Sequence, residues 1–377
     1  INPTPGGAAG GGGPRAPPPR PPAPARGLFC FLERSPMVVV MRPGASAAEV
    51  HAVVARVEGA GGSAFVSRGV QRTIVGLVGD VVQFTALNLR AMAGVVEVVR
   101  VSKPYKLVSR ENHPDASTVT VGERGDVHIG PDTFVLIAGP CAVETAEQTF
   151  QAADMAKAAG ATMLRGGAYK PRTSPYAFQG LGVKGLEILV EARERTGLPV
   201  VTEVVDPKDV AVVAEHADML QIGTRNMQNF PLLQAVGGVR KPVMLKRGLS
   251  ATYEEWLMAA EYIAQRGNLD IVLCERGIRT FETATRNTLD VSAVPMVHAL
   301  SHLPIVVDPS HSAGKRDLVV PLTRAAIAVG ADAVMVDVHA DPTAALCDGP
   351  QALYGDALDE LARACRELPP MLGRRVG

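Results

Sequence analysis

From residue 131 onward, short apolar runs of strand length recur at intervals of roughly 20 to 40 residues, each followed by a stretch with helical spacing. The runs fall at 134–138, 162–164, 200–204, 219–222, 243–245, 271–274, 305–307 and 333–338. Eight strand–helix units in the segment 131–370 predict an α/β fold, a (β/α)8 TIM barrel, whose usual length is about 250 residues. A doubly wound open sheet is the rival, but no GxGxxG follows the first strand. Helix starts agree with this reading. Asp206 is a cap residue before Pro207, and Thr252 with Glu255 forms a capping box.

Ahead of the barrel the period differs. Strands are expected at 38–41, 64–67, 73–78 and 95–101, with one helix opened by the Ser46/Glu49 capping box and a second, capped by Asp80, running to Met92. Strand, helix, strand, strand, helix, strand over 37–102 is the pattern of a small ferredoxin-like α+β domain. Residues 103–130 read as a connector. Residues 1–36, rich in Pro, Gly and Ala, bury too little to offset chain entropy, so a disordered and dispensable segment is expected.

Composition narrows the function. Lys plus Arg equals Asp plus Glu at 38 each, so no global field recruits nucleic acid or an anionic membrane. An RNA-binding role for the small domain needs aromatic residues on the central strands, which offer only Phe65. Five cysteines without a CxxC pair suit a reducing compartment, hence the cytoplasm. No apolar run reaches the length of about 18 residues needed to span a membrane.

Barrel enzymes carry their chemistry where strands run into loops on the carboxyl face. Here those positions are Cys141, Arg165, Glu203, Thr224-Arg225, Lys246-Arg247, Glu275-Arg276, Asp308 with His311, and Asp337. For any one of them a structural ion pair or a core thiol is the plainer explanation, but a polar group at every strand end is not explained that way. Residues 161–182, ATMLRGGAYKPRTSPYAFQGLG, supply Arg165, Lys170 and Arg172 beside hydroxyls and glycines, a composition suited to an anion. Cys141, His311, Asp337 and Asp348 offer the sulfur, nitrogen and oxygen donors of a divalent transition metal site of the Mn, Fe, Co or Zn type. The six cations Arg165, Lys170, Arg172, Arg225, Lys246 and Arg276 would serve at least two anionic groups.

The stretches IAGPCAVE, RGGAYKPRTSPYAFQGLG, QIGTRNMQN, LKRG, CERGIRTFE, DPSHSAG and CDG together resemble the 3-deoxy-D-arabino-heptulosonate 7-phosphate (DAHP) synthase family, in the type I branch with a ferredoxin-like regulatory domain. The resemblance spans about residues 37–368. It implies condensation of phosphoenolpyruvate with erythrose 4-phosphate, the first step of the shikimate pathway, on a metal-dependent barrel. It also implies a homotetramer and feedback by an aromatic amino acid, tyrosine or phenylalanine, held between paired regulatory domains. By the same resemblance, phosphoenolpyruvate falls to Arg165, Lys170, Arg225, Lys246 and Arg276, and erythrose phosphate to Lys170, Pro171, Arg172 and Thr173. Asp308 joins the substrate set, Cys141, His311, Asp337 and Asp348 hold the metal, and Lys170, Cys141 and His311 are the catalytic candidates. Two positions depart from the family. Asp337 stands where Glu is usual, so the carboxylate is one methylene shorter and must reach a metal by backbone adjustment or through water. In the effector region Phe65 replaces a His while Ser67 is kept. Two alternatives stay open: 3-deoxy-octulosonate 8-phosphate synthase, whose loop lysine is followed by an Ala-Asn-Arg type of segment instead of Pro171-Arg172-Thr173, and a silent barrel that senses aromatic amino acids.

Overall fold

The computed structural model describes residues 37–68, 73–79, 81–100 and 104–377. The expectations for residues 1–36, for the Asp80 cap and for the side chain of Ser67 therefore lie outside the described residues. The chain divides into two compact units, residues 1–102 and 103–377.

In the first unit, β1 (Met37–Met41), α1 (Ala47–Glu58), β2 (Ser63–Arg68), β3 (Thr73–Val78), α2 (Val81–Ala86) and β4 (Val95–Arg100) follow one another. The sheet is antiparallel with order β2-β3-β1-β4. Ser46 and Glu49 form the expected capping box. Val50, Val53 and Val57 of α1 then pack on Val39, Met41, Val75 and Leu77. The second helix is shorter than its apolar pattern predicts, because Asn88 takes a left-handed conformation (φ 49°) and only a 3-10 turn, Leu89–Ala91, follows. Phe65 pairs with Gly76, so the two share the sheet face opposite the helices, and the Phe65 ring fills the space where a Gly76 side chain would lie.

The second unit opens with a feature that the sequence reading passed over as a connector. β5 (Val119–Val121) and β6 (Val127–Ile129) form an antiparallel hairpin, and β6 leads straight into the barrel. Val119, Val121, Val127 and Ile129 join Val135, Ile137, Met163, Val201 and Met219 in one interior cluster, so the hairpin plugs the amino-terminal end. The eight barrel strands are β7 (Thr133–Gly139), β8 (Met163–Arg165), β9 (Val200–Val204), β10 (Met219–Ile222), β11 (Val243–Lys246), β12 (Ile271–Glu275), β13 (Ile305–Val307) and β14 (Ala333–Asp337). Each pairs in parallel with the next, and β14 pairs with β7 to close the ring. Between them lie α3 (Ala146–Ala158), α4 (Val183–Thr196), α5 (Val210–His216), α6 (Phe230–Gly237), α7 (Tyr253–Ala264), α8 (Ala293–Leu300), α9 (Pro309–Ala313) and α10 (Arg316–Ala328). A last helix, α11 (Gly355–Met371), and a short strand, β15 (Arg375–Val376), beside β7 complete the unit.

The alternation of strand residues explains the two barrel layers. Ile137, Met163, Val201 and Met244 point inward, while Leu136, Leu164, Val200 and Leu245 face the helices, among them Trp256, whose indole N–H donates to Leu245 O at 3.1 Å. With the lower end filled by side chains and the hairpin, the carboxyl end is left for polar groups. None of the described helices is long and apolar enough to cross a membrane.

Candidate active site

The strand ends converge on a cavity of about 470 Å³ at the carboxyl face of the barrel. Of the residues singled out from sequence, Arg165, Lys170, Pro171, Arg172, Thr173, Arg225, Lys246, Arg276, His311 and Asp348 line it. Cys141 and Asp337 lie beside its floor, within the four-residue group Cys141, His311, Asp337 and Asp348, whose donor atoms all fall within 4.8 Å of one another.

The donor group is built from three loops. Cys141 follows β7, His311 sits on α9 after β13, and Asp337 ends β14, whose long following loop brings back Asp348. Cys141 Sγ is 3.6 Å from His311 Nε2 and 3.1 Å from Asp348 Oδ2. His311 Nε2 lies 3.7 Å from Asp337 Oδ2 and 3.6 Å from Asp348 Oδ2. Asp308 orients the imidazole: it accepts from the backbone N–H of His311 at 2.9 Å and from Nδ1 at 2.9 to 3.1 Å, which turns Nε2 toward the other donors. Burial opposes the charge on His311, but Asp308 and Asp337 outweigh it and raise its pKa to about 10.

These residues fit a divalent ion on two counts. The donors are the soft and borderline types that transition metals take. Asp337 Oδ1 is fully buried and accepts no hydrogen bond of good geometry, although it forms an ion pair with Arg165 Nη1 at 2.8 Å; that nitrogen also donates to Pro140 O at 2.9 Å. The other Asp337 oxygen accepts from Gln351 Nε2 at 2.6 Å. Asp348 is a non-glycine residue at φ 56°, a left-handed conformation held by its contacts with Arg286 (2.8 Å) and Cys141. Its carboxyl is held well below the usual range by His311 and Arg286, against the opposing effect of burial.

Lys170 connects the donor group to the cations. Its ammonium donates to Cys141 O at 2.9 Å and lies 3.2 Å from Cys141 Sγ. Gly167 makes this approach feasible, since a side chain there would meet Cys141 O at 2.7 Å. Burial works against the Lys170 charge, yet the sulfurs of Cys141 and Cys347 raise its pKa above the ordinary value. Around it stand Arg172 and Arg225, the latter 3.4 Å from Thr173 Oγ1. On the other side Lys246 pairs with Asp308 at 2.6 Å.

Two residues have a different place from the one expected. Asp308 is fully buried behind Lys246 and His311 and does not line the cavity, so it reaches substrate only through those two side chains. Arg247 is turned away into an ion-pair lock with Glu275 (2.9 Å) and Asp290 (2.8 Å), stacked on Tyr253. The structure also adds residues that the sequence reading missed. Arg279 and Arg286 line the cavity from the loop after β12. Cys347 lies 3.6 Å from Cys141 Sγ and accepts from Arg172 Nη1 at 2.6 Å, and its thiol is pushed below the ordinary pKa by the Cys141 thiol, with Lys170 and Arg172 helping against burial. The basic run after CERG and the cysteine beside Asp348 were the available signals.

Fold and site together define a (β/α)8 barrel whose carboxyl-end cavity is lined by cations beside four donors that could hold a metal ion. Comparison with known proteins makes this specific. Residues 109–373 match the DAHP synthetase I family and residues 37–103 the DAHP synthase ferredoxin-like domain. The chain belongs to the DAHP synthetase I family. It is 53% identical over 340 residues to a phospho-2-dehydro-3-deoxyheptonate aldolase from Thermotoga maritima, covering 90% of this chain and all of that one. The crystal structure of a T. maritima enzyme of that name superposes with a TM-score of 0.73 at 51% identity, over 90% of this chain and 99% of the other. A more distant relative, a 2-dehydro-3-deoxyphosphooctonate aldolase from Syntrophobacter fumaroxidans, is 32% identical over 60% of this chain and 83% of its own.

Proposed function

We infer that this enzyme condenses phosphoenolpyruvate with erythrose 4-phosphate and water to give 3-deoxy-D-arabino-heptulosonate 7-phosphate and phosphate. The observation that carries the reading is the juxtaposition of the Cys141, His311, Asp337 and Asp348 donors with a cavity lined by Arg165, Lys170, Arg172, Arg225, Lys246 and Arg276. Two phosphate-bearing substrates repel one another, and cations fixed on several strand ends offset that repulsion while aligning the reacting carbons. Arg165, Lys170, Arg225, Lys246 and Arg276 are assigned to phosphoenolpyruvate, and Lys170, Pro171, Arg172 and Thr173 to erythrose phosphate.

The donors would hold a divalent ion of the Mn, Fe, Co or Zn type, which when bound supplies Lewis acidity that makes the aldehyde carbon more electrophilic. The protein's own groups account for the remaining steps. The enol carbon of phosphoenolpyruvate attacks the aldehyde carbon, and Lys170, charged and buried, donates a proton to the aldehyde oxygen. Water adds at C2, and the C–O bond to phosphorus-bearing oxygen breaks as phosphate leaves among the arginines. The Pro171-Arg172-Thr173 segment and the higher identity to the heptonate enzyme favour erythrose 4-phosphate over the five-carbon aldehyde of the octonate relatives. The family resemblance supports a cytoplasmic homotetramer.

Chelation tests this reading against a silent barrel. Stripping the enzyme with a chelator is expected to abolish product formation, and adding Mn or Co to restore it. Full activity in the metal-free enzyme would rule out the assigned role of the four donors.

The ferredoxin-like unit is assigned to feedback by tyrosine or phenylalanine, with Phe65 and Ser67 as effector residues. An apolar Phe65 ring offers no hydrogen-bonding group to a phenol hydroxyl, which favours phenylalanine. A chain beginning near residue 103 is expected to stay active and lose sensitivity to both amino acids. A truncated T. maritima DAHP synthase, covering 72% of this chain, has a solved structure, which supports folding of a shortened chain. Equal inhibition of the truncated and full chains in a phosphate-release assay would place the effector site elsewhere.

A further inference from the structure

The loop from Val338 to Leu353 leaves the barrel at Asp337 and returns beside it, where Leu353 N–H donates to Asp337 O at 2.8 Å. Ala340, Asp341, Thr343, Ala344 and Leu346 on it are exposed, yet two residues beyond Leu346 comes Asp348, whose side chain must be placed to within a fraction of an ångström to serve a metal. One side chain from the β7 loop reaches this exposed stretch. Glu144, three residues after Cys141, accepts from the backbone N–H of Leu346 at 2.9 Å through Oε1. Its other oxygen faces His339 Nε2 at 3.7 Å, and both side chains are 8% exposed. His339 Nδ1 accepts from Asp341 N–H at 3.1 Å, so the ring proton sits on Nε2 and points toward Glu144. That buried nitrogen has no hydrogen-bond partner of its own.

We propose that Glu144, backed by His339, is a positioning residue that clamps the β14 loop to the β7 loop and thereby sets Asp348 opposite Cys141. Cys141 and Asp348 come from segments 207 residues apart, and their 3.1 Å approach requires the two loops to be tied together near the donors. The Glu144 bond does so two residues from Asp348 and three from Cys141. The left-handed backbone of Asp348, held directly by Arg286 and Cys141, gains a further restraint from this tie, since a non-glycine residue keeps that conformation only when its surroundings enforce it. Glu144 touches neither substrate nor metal on this account; it acts through Asp348. The inference rests on the reading of Cys141, His311, Asp337 and Asp348 as metal ligands.

Calorimetric titration of the full chain with Mn(II), with phosphoenolpyruvate binding to the metal-free protein as a control, tests it. Glu144→Ala should weaken Mn(II) binding by about 10- to 100-fold, the range seen when a group supporting a ligand is lost. Glu144→Gln keeps a carbonyl acceptor for Leu346 and should bind Mn(II) close to the wild-type value. Phosphoenolpyruvate binding should be unchanged in both, and the Co(II)–thiolate absorption band that reports Cys141 should persist. If the alanine variant does not fold, Glu144→Asp, too short to reach Leu346, decides the question with the same expected loss. Wild-type Mn(II) affinity in the alanine or aspartate variant, or a glutamine variant as weak as alanine, overturns the clamp. Absence of Mn(II) binding by the wild type overturns the ligand assignment itself.

Discussion

Lys170→Met is expected to slow turnover by about 10²- to 10⁴-fold, the usual contribution of a positioned proton donor. Methionine keeps the length and apolar stem of the side chain but removes the charge. In the structure that charge is buried, fixed on Cys141 O at 2.9 Å, and sits where the donor group meets the arginines. Among the described residues no other cation has that position. Arg165 is committed to Pro140 O and Asp337, and Lys246 is paired with Asp308. The loss should fall mainly on kcat, because Arg165, Arg225, Lys246 and Arg276 remain to hold phosphoenolpyruvate. A variant that keeps more than about a tenth of wild-type kcat, against the losses expected of a proton donor, would remove Lys170 from the proton-transfer step.

Cys141→Ser is expected to weaken divalent metal binding by more than the roughly 10- to 100-fold that follows loss of a supporting partner, since here the ligand itself goes. A serine hydroxyl stays protonated at neutral pH and offers a hard, weak donor in place of a thiolate. Activity should fall with the metal and recover only partly at high Mn. The informative control is Cys347→Ser. Cys347 lies 3.6 Å from Cys141 and is bonded to Arg172, but lies outside the four-residue donor group. It should therefore retain metal affinity while weakening the hold of Arg172. Similar metal losses in both variants, measured by calorimetry, would make Cys347 a ligand as well.

Much of this site was legible in the sequence because barrel topology converts strand ends into neighbours. Once eight apolar runs were recognised, Cys141, Arg165, Lys246 and Asp337 had to share one rim, whatever their separation in the chain. Loop residues had no such rule. Asp348 reaches the group only because the loop after β14 doubles back, and Arg279 and Arg286 enter from a long irregular segment with no period to read. Asp308 shows the converse limit: its position at a strand end was legible, but not that Lys246 and His311 would occupy both its oxygens and bury it. The hairpin at the barrel floor was missed for another reason. Its strands are three residues each, too short for alternation to stand out from a connector. In the small domain the Ser46/Glu49 box was readable and formed, whereas the second helix stopped early at Asn88, a backbone choice that its apolar pattern did not disclose.

Consumption of phosphoenolpyruvate by the Mn-loaded enzyme, followed with erythrose 4-phosphate and separately with arabinose 5-phosphate, tests the central claim most directly. The account predicts rapid loss of phosphoenolpyruvate with matching phosphate release and a seven-carbon product in the first case, and little in the second. Turnover with arabinose 5-phosphate that equals or exceeds turnover with erythrose 4-phosphate would contradict it.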